Sequence, residues 1–358
     1  MSDRRRIILG GAAIAVTGAA GWAWRNRAGS YDAVPETQPA IVETVQNMPY
    51  REFGKTGLRI SELGFGAWGI GGNSYGAADR AESLAALARA EELGCNFVDT
   101  AAVYGQSEDV LGEFLQGRRD RWVVATKFSG QDAGMTATLE AQLQRLRTDH
   151  VDFYMVHWLP RGDEAGLLDE LANLKRSGKA RFVGVSLYNA EEIDFVTKKT
   201  DLDGIMVPMN LLDPYPFVSQ REKIARKGLG VLIRSSLKEG FLAGAFTKQT
   251  RFTDPNDQRS KWSVEEIERT VDRVEQFRFL EQQAGSMARA AIGYPLSFPE
   301  VSNVVVGVRR VWEAEENFGR TAGYRLAASE LEKVGELQSQ LGLKLRPSLK
   351  ERIRTLLS

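Results

Sequence analysis

The sequence predicts a single (β/α)8 barrel, and three observations lead there. Eight short apolar runs alternate with longer stretches of helical period from Met48 onward. The runs are apolar on both faces, as strands of a covered parallel sheet must be. Polar residues close consecutive runs at nearly constant intervals: Asp99, Lys127, His157 and Ser186. In a closed barrel all four would point into the same C-terminal mouth, where such barrels carry their chemistry.

The runs in order are Glu62 to Ala67, Cys95 to Val98, Trp122 to Thr126, Val151 to Val156, Ala180 to Val185, Gly204 to Val207, Gly230 to Arg234 and Asn303 to Val306. Between them, Arg80 to Leu93, Met135 to Arg147, Ala165 to Ser177 and Ala190 to Lys199 read as helices, with Gly94 and Gly178 as stops. An open doubly wound sheet is the competing architecture, because Gly64, Gly66 and Gly69 match the spacing of a dinucleotide fingerprint. The match lacks its context: two of the glycines fall inside a strand, and no helix pattern follows the third.

At 358 residues and 43% hydrophobic content the chain can bury a large core. Lys plus Arg equals Asp plus Glu at 47 each, so no overall field draws nucleic acid. With two histidines and one cysteine, Cys95, neither a His/Cys metal centre nor an internal disulfide is expected.

Residues 1–24 do not read as barrel. An arginine cluster at Arg4, Arg5 and Arg6 precedes Ile7 and Ile8, then an uncharged stretch to Trp24 diluted by Gly and Thr. It resembles a twin-arginine export signal, with an uncleaved membrane anchor over residues 7–24 or a chance basic start as the other readings. The location expected is therefore the periplasm, or the periplasmic face of a membrane, with the cytoplasm as the alternative. Residues 25–47 carry Pro35 and Pro39 without an apolar face and read as a linker, 48–345 as the barrel, and 346–358 as a tail.

The polar residues of the mouth form a chemically coherent set. Asp99 opens Asp99-Thr-Ala-Ala-Val-Tyr-Gly, which puts Tyr104 in the loop above it. Tyrosine titrates near 10, so a tyrosine acid needs a neighbour that eases loss of its proton. An ammonium at Lys127, compensated by Asp99, would serve, and His157 could hydrogen-bond a substrate oxygen. A plain Asp99–Lys127 salt bridge and a buried structural histidine are the simpler alternatives.

These residues, with Leu63-Gly-Phe-Gly-Ala-Trp68, Ser107-Glu108, Ala125-Thr-Lys127 and His157-Trp, resemble the aldo-keto reductases over roughly Met48 to Leu343. The resemblance implies a TIM-type barrel with an N-terminal β-hairpin cap, fitted by Tyr50 to Ile60. It implies a small-molecule carbonyl substrate, NADPH as cofactor, and Asp99, Tyr104, Lys127 and His157 as the catalytic set. It also implies cofactor contacts from Trp68, Asp99, Ser186 at the nicotinamide carboxamide, Arg234 stacked on the ring, Leu237 and Gly240 on the diphosphate path, and Gly307, Arg309 or Arg310, Glu316 and Asn317 at the adenosine end. Leu187 and Met206 depart from the family, which usually has amide side chains there.

Two other functions compete. A redox sensor or accessory subunit would keep fold and cofactor but turn over little. A hydrolase with paired carboxylates would need a second free acid, and Lys127 would bind one of the two in reach, Asp99 and Glu108. The aromatic residues of the loop Glu239 to Ser263, Phe241, Phe246, Phe252 and Trp262, suit either an apolar pocket or packing on the rim.

Overall fold

A computed structural model describes residues 39–162 and 166–343, together with Pro35. The segment that resembles an export signal, including Arg4 and Arg5, and the tail 346–358 lie outside the described residues. Among the described residues no helix is long and apolar enough to cross a membrane.

Eight parallel strands close into a barrel. They are β4 (Leu63–Gly66), β5 (Phe97–Asp99), β6 (Val123–Phe128), β7 (Val151–Val156), β8 (Ala180–Ser186), β9 (Gly204–Pro208), β10 (Gly230–Arg234) and β11 (Asn303–Gly307). Each of the eight apolar runs gives one of them. The ring closes where β11 pairs with β4, Val306 opposite Phe65. Outside it lie α1 (Arg80–Glu92), α2 (Ser107–Phe114), α3 (Met135–Leu146), α4 (Gly166–Arg176), α5 (Ala190–Lys199), α6 (Arg221–Lys227), α7 (Val264–Glu275), α8 (Met287–Leu296), α9 (Val311–Ala314) and α10 (Ala328–Gln340). Helix-facing residues such as Val98, Val124 and Tyr154 join the outer core, while Phe97, Ala125, Phe153, Met155, Met206 and Leu232 fill the barrel. That alternation on strands buried on both sides is why the runs read as uniformly apolar.

The competing open sheet is excluded by closure, and the glycine spacing has another cause. A Cβ on Gly64 would stand 2.7 Å from Phe97 and from Asn303, so this glycine admits neighbouring strands rather than a phosphate. Gly69 opens a short 3-10 turn, Gly69–Gly71, and no dinucleotide-binding helix.

An antiparallel sheet covers the N-terminal end of the barrel: β1 (Glu43–Val45), β2 (Met48–Glu52) and β3 (Arg59–Ser61), with Arg51 opposite Ile60. The hairpin expected over Tyr50 to Ile60 is the β2–β3 pair. Strand β1 lies in the stretch read as linker, where its largely exposed residues leave no apolar signature. Phe53 at the hairpin turn closes the barrel floor, edge-on to Phe153 with centroids 4.9 Å apart. Bare backbone at Gly204 and Gly230 makes room for its ring, since a Cβ on either would come within 2.4–2.5 Å of it. With the floor closed, the opposite end is the one left for chemistry.

Candidate active site

Strand ends deliver Asp99 from β5 and Lys127 from β6 to the mouth, and the loop after β5 delivers Tyr104. That loop is fixed by contact with the turn after β4. Gln106 donates its backbone N–H to the Gly71 carbonyl at 3.0 Å, and a Cβ on Gly71 would strike the Tyr104 carbonyl at 1.9 Å. Only glycine fits there. Asn73 Nδ2 donates to the Val103 carbonyl at 3.0 Å and ties the same two loops.

Lys127 is fully buried and its Nζ donates at 2.7 Å to Asp99 Oδ1, Asp99 Oδ2 and the Thr100 carbonyl. Three acceptors use its three protons. Burial pushes Asp99 up and Lys127 down from their ordinary ranges, and each is opposed by its partner's charge. The ammonium stands 4.9 Å from the centre of the Tyr104 ring. The ammonium thus acts through the ring face and not by a hydrogen bond to the phenol, whose hydroxyl pairs with His157 Nε2 at 3.5 Å. Desolvation holds the tyrosine well above its ordinary value, Asp99 adds to this, and Arg234 opposes it.

His157 follows β7, its N–H donating to the Phe128 carbonyl at 2.9 Å. Burial first, then the charges of Lys127 and Arg234, hold its imidazole down to about 3, so it is neutral near pH 7. Ser129 Oγ lies 2.8 Å from Nδ1. With the serine donating there, Nε2 carries the proton and faces the tyrosine oxygen. Ser129 was missed from sequence; its only signal is its place two residues after Lys127. A polar network braces β6 from behind, Gln142 Nε2 donating to Glu108 Oε1 at 2.7 Å and to the Lys127 carbonyl at 3.1 Å. Glu108 is thus tied to Gln142, Thr126 and Arg145 and supplies no second free acid for a hydrolase.

The other implied residues fall into two groups along the rim. Near Tyr104, Trp68 lies 6.2 Å away between ring centres. The Ser186 hydroxyl is buried without a hydrogen-bond partner, an orphan that a carboxamide would satisfy. Arg234 donates to the Leu187 carbonyl at 3.2 Å and lies 4.4 Å from the Tyr188 ring centre. Tyr188, also missed from sequence, donates its hydroxyl to the His157 carbonyl at 3.4 Å.

Leu237 is half-buried at the head of a segment with Lys238, Glu239 and Gly240 all at positive φ. That conformation turns the chain sharply where the diphosphate path was expected. At the far end, Gly307 is exposed, and Asn317 Nδ2 reaches its carbonyl at 3.5 Å. Arg309 donates to the Tyr75 carbonyl at 2.9 Å, and Arg310 is exposed. Glu313 accepts from both backbone N–H groups, at 2.6 and 3.2 Å. The Glu316 carboxylate is engaged by Ser286 at 2.8 Å and Arg320 at 3.1 Å.

The aromatic loop packs on itself. Phe241 lies 5.1 Å from Trp262 and 5.2 Å from Phe246, and Phe246 lies 5.2 Å from Phe252. Arg259, paired with Asp257, covers Phe252 and Tyr75 at 4.5 Å each. Gln258 N–H donates to the Ser74 carbonyl at 2.9 Å, so the loop bridges the mouth to the turn after β4. Among the described residues no group of His, Cys, Asp and Glu could hold a metal ion.

The Aldo/keto reductase family model matches residues 62–338. The chain belongs to the aldo-keto reductase family. It is 31% identical to the aldo-keto reductase YhdN of Bacillus subtilis over 57% of this chain and 67% of that protein. It is 30% identical to a probable voltage-gated potassium channel subunit beta of Oryza sativa, over 75% of this chain and 90% of the other. Among solved structures, a glycerol dehydrogenase of Gluconobacter oxydans superposes with TM-score 0.69 at 25% identity, covering 85% of this chain and 98% of that one. As an aldo-keto reductase the chain is an oxidoreductase, and its barrel and hairpin cap are those of the family. A nicotinamide cofactor fits the residues present: the orphaned Ser186 hydroxyl, the planar Arg234, and two arginines beside Gly307.

Proposed function

We propose that this aldo-keto reductase uses NADPH to reduce an aldehyde or ketone to the alcohol, with Tyr104 as proton donor. The observation that carries this reading is the meeting of the Tyr104 hydroxyl and a neutral His157 Nε2 at 3.5 Å above the buried Asp99–Lys127 pair. Bound beside Ser186 and Arg234, the cofactor would supply a hydride, a proton nucleus with two electrons, for the carbonyl carbon. The Tyr104 hydroxyl gives its proton to the carbonyl oxygen as negative charge gathers there, and solvent later restores it. His157, with Nε2–H, donates to the same oxygen and orients it. Lys127 over the ring face, together with Arg234, offsets charge left on the phenolate, while Asp99 keeps the lysine ionised in a buried position. Ser186 would hold the carboxamide, and Arg309 or Arg310 the 2′-phosphate that distinguishes NADPH from NADH. The test is consumption of NADPH with a reactive aldehyde such as 4-nitrobenzaldehyde. No consumption above the rate without enzyme would reject the reading.

A second reading, a cofactor-binding sensor or accessory subunit with little turnover, is favoured by Leu187 and Met206 and by the similarity to a probable channel subunit. In the same assay it expects NADPH to bind and not be consumed. We also propose that Arg4 and Arg5 direct the folded protein to twin-arginine export, so that the barrel works in the periplasm or anchored at its membrane.

A further inference from the structure

A nicotinamide ring is neutral when reduced and cationic after giving up a hydride, so a fixed charge beside it separates the two states. Arg234 is such a charge. It ends β10, donates to the carbonyl of Leu187, the residue after Ser186, and stacks its guanidinium on Tyr188. Among the described residues no carboxylate is bonded to it. Of the acids that feel it, Asp99 is spent on Lys127, and Asp213, whose carboxyl burial pushes up, makes no bond to it. Lys127, paired with Asp99, leaves that aspartate no free charge for Arg234, and Asp213 also feels Lys238. Its field reaches the centre of the mouth, where it acts on Tyr104, His157, Asp99 and Lys127 alike. Leu187 and Met206, where the family usually has amides that could turn a compensating dipole toward the ring, are buried and apolar, and the amide of Asn210 is spent on the Ser235 carbonyl and the Leu212 N–H.

We propose that Arg234 makes this site select its cofactor by charge, holding NADPH more tightly than NADP+. The inference rests on the nicotinamide lying between Ser186 and Arg234, as in the proposed function. Loss of a hydride from the reduced ring creates one positive charge next to a half-buried guanidinium that, among the described residues, has no bonded carboxylate. Through linkage, the potential of the bound couple rises by about 30 mV for each tenfold in the affinity ratio of this two-electron couple. Spent cofactor then leaves readily, and oxidation of alcohols by added NADP+ is disfavoured.

Titration of the full-length protein with NADPH, NADP+ and 2′,5′-ADP, followed by quenching of tryptophan fluorescence, tests this. The wild type should bind NADPH about tenfold or more tighter than NADP+, a size expected for unit charges within several ångströms at a half-buried site. Arg234→Gln should reduce that ratio about tenfold, mainly by improving NADP+, and Arg234→Lys should keep most of it. Binding of 2′,5′-ADP, which has no nicotinamide, should be alike in all three. Should Arg234→Gln melt early, Arg234→Met, which keeps the stem against Tyr188, takes its place. A wild-type ratio near one, or an equal loss for both cofactors in Arg234→Gln, overturns the inference and leaves carbonyl reduction standing. Absence of binding by either cofactor would instead reject the proposed function.

Discussion

Lys127 Nζ bonds at 2.7 Å to both oxygens of Asp99, and this pairing orients the lysine toward the aspartate and away from the Tyr104 hydroxyl. The lysine is thus half of a buried ion pair lying under the Tyr104 ring. Removing one member leaves the other charged and unpaired. Lys127→Met should therefore lower stability by about 3–5 kcal/mol and abolish turnover. Pairing it with Asp99→Asn should recover much of the stability in denaturant titrations and none of the activity. Recovery of activity in the double variant would show that neither charge takes part in the chemistry.

His157 gives the enzyme a pH dependence of defined sign. Its folded value of about 3 lies below the ordinary 6.5, so the unfolded chain binds the extra proton first as pH falls. Stability from this group is intact above 6.5 and declines between 6.5 and 3. The decline amounts to about a few kcal/mol. His157→Gln should melt with a visibly shallower loss over that window than the wild type. Parallel melting curves for the two proteins would mean that the imidazole is not held neutral.

The proposed preference for NADPH rests on Arg309 and Arg310, which follow the exposed Gly307. Replacing both by alanine should weaken NADPH about tenfold or more while changing NADH little, since only the former carries the phosphate they would pair with. Equal losses in the two titrations would remove these arginines from the phosphate site.

Much of this architecture was legible because barrel strands are apolar on both sides and end in polar residues at nearly even intervals. Eight apolar runs sufficed to place β4 through β11, and Asp99, Lys127 and His157 were found as strand ends. Direction was not legible. Spacing puts Lys127 at the mouth but cannot say whether its ammonium turns to Tyr104 or to Asp99, which depends on where the Thr100 carbonyl lies. Ser129 and Tyr188 carried no pattern, because each acts through a contact nearly thirty residues or more away in sequence. Strand β1 escaped because it is three residues long and mostly exposed.

Export is open to a direct test because Arg4 and Arg5 precede every residue of the barrel. Arg4→Lys with Arg5→Lys should leave active, cofactor-binding enzyme in the cytoplasm, as read by fractionating cells that express the two forms. Arrival of the double variant at the membrane or periplasm would mark the segment as an ordinary anchor or secretory signal.

The central claim is that the Tyr104 hydroxyl gives its proton to the carbonyl oxygen, and Tyr104→Phe removes that atom while keeping the ring beneath Trp68 and above Lys127. Turnover of NADPH with a reactive aldehyde, measured beside NADPH affinity on the same preparation, is the most direct test. The account predicts a loss of at least about a hundredfold in kcat, in line with removal of a general acid, with affinity changed by no more than a few-fold. Wild-type turnover in Tyr104→Phe would contradict it.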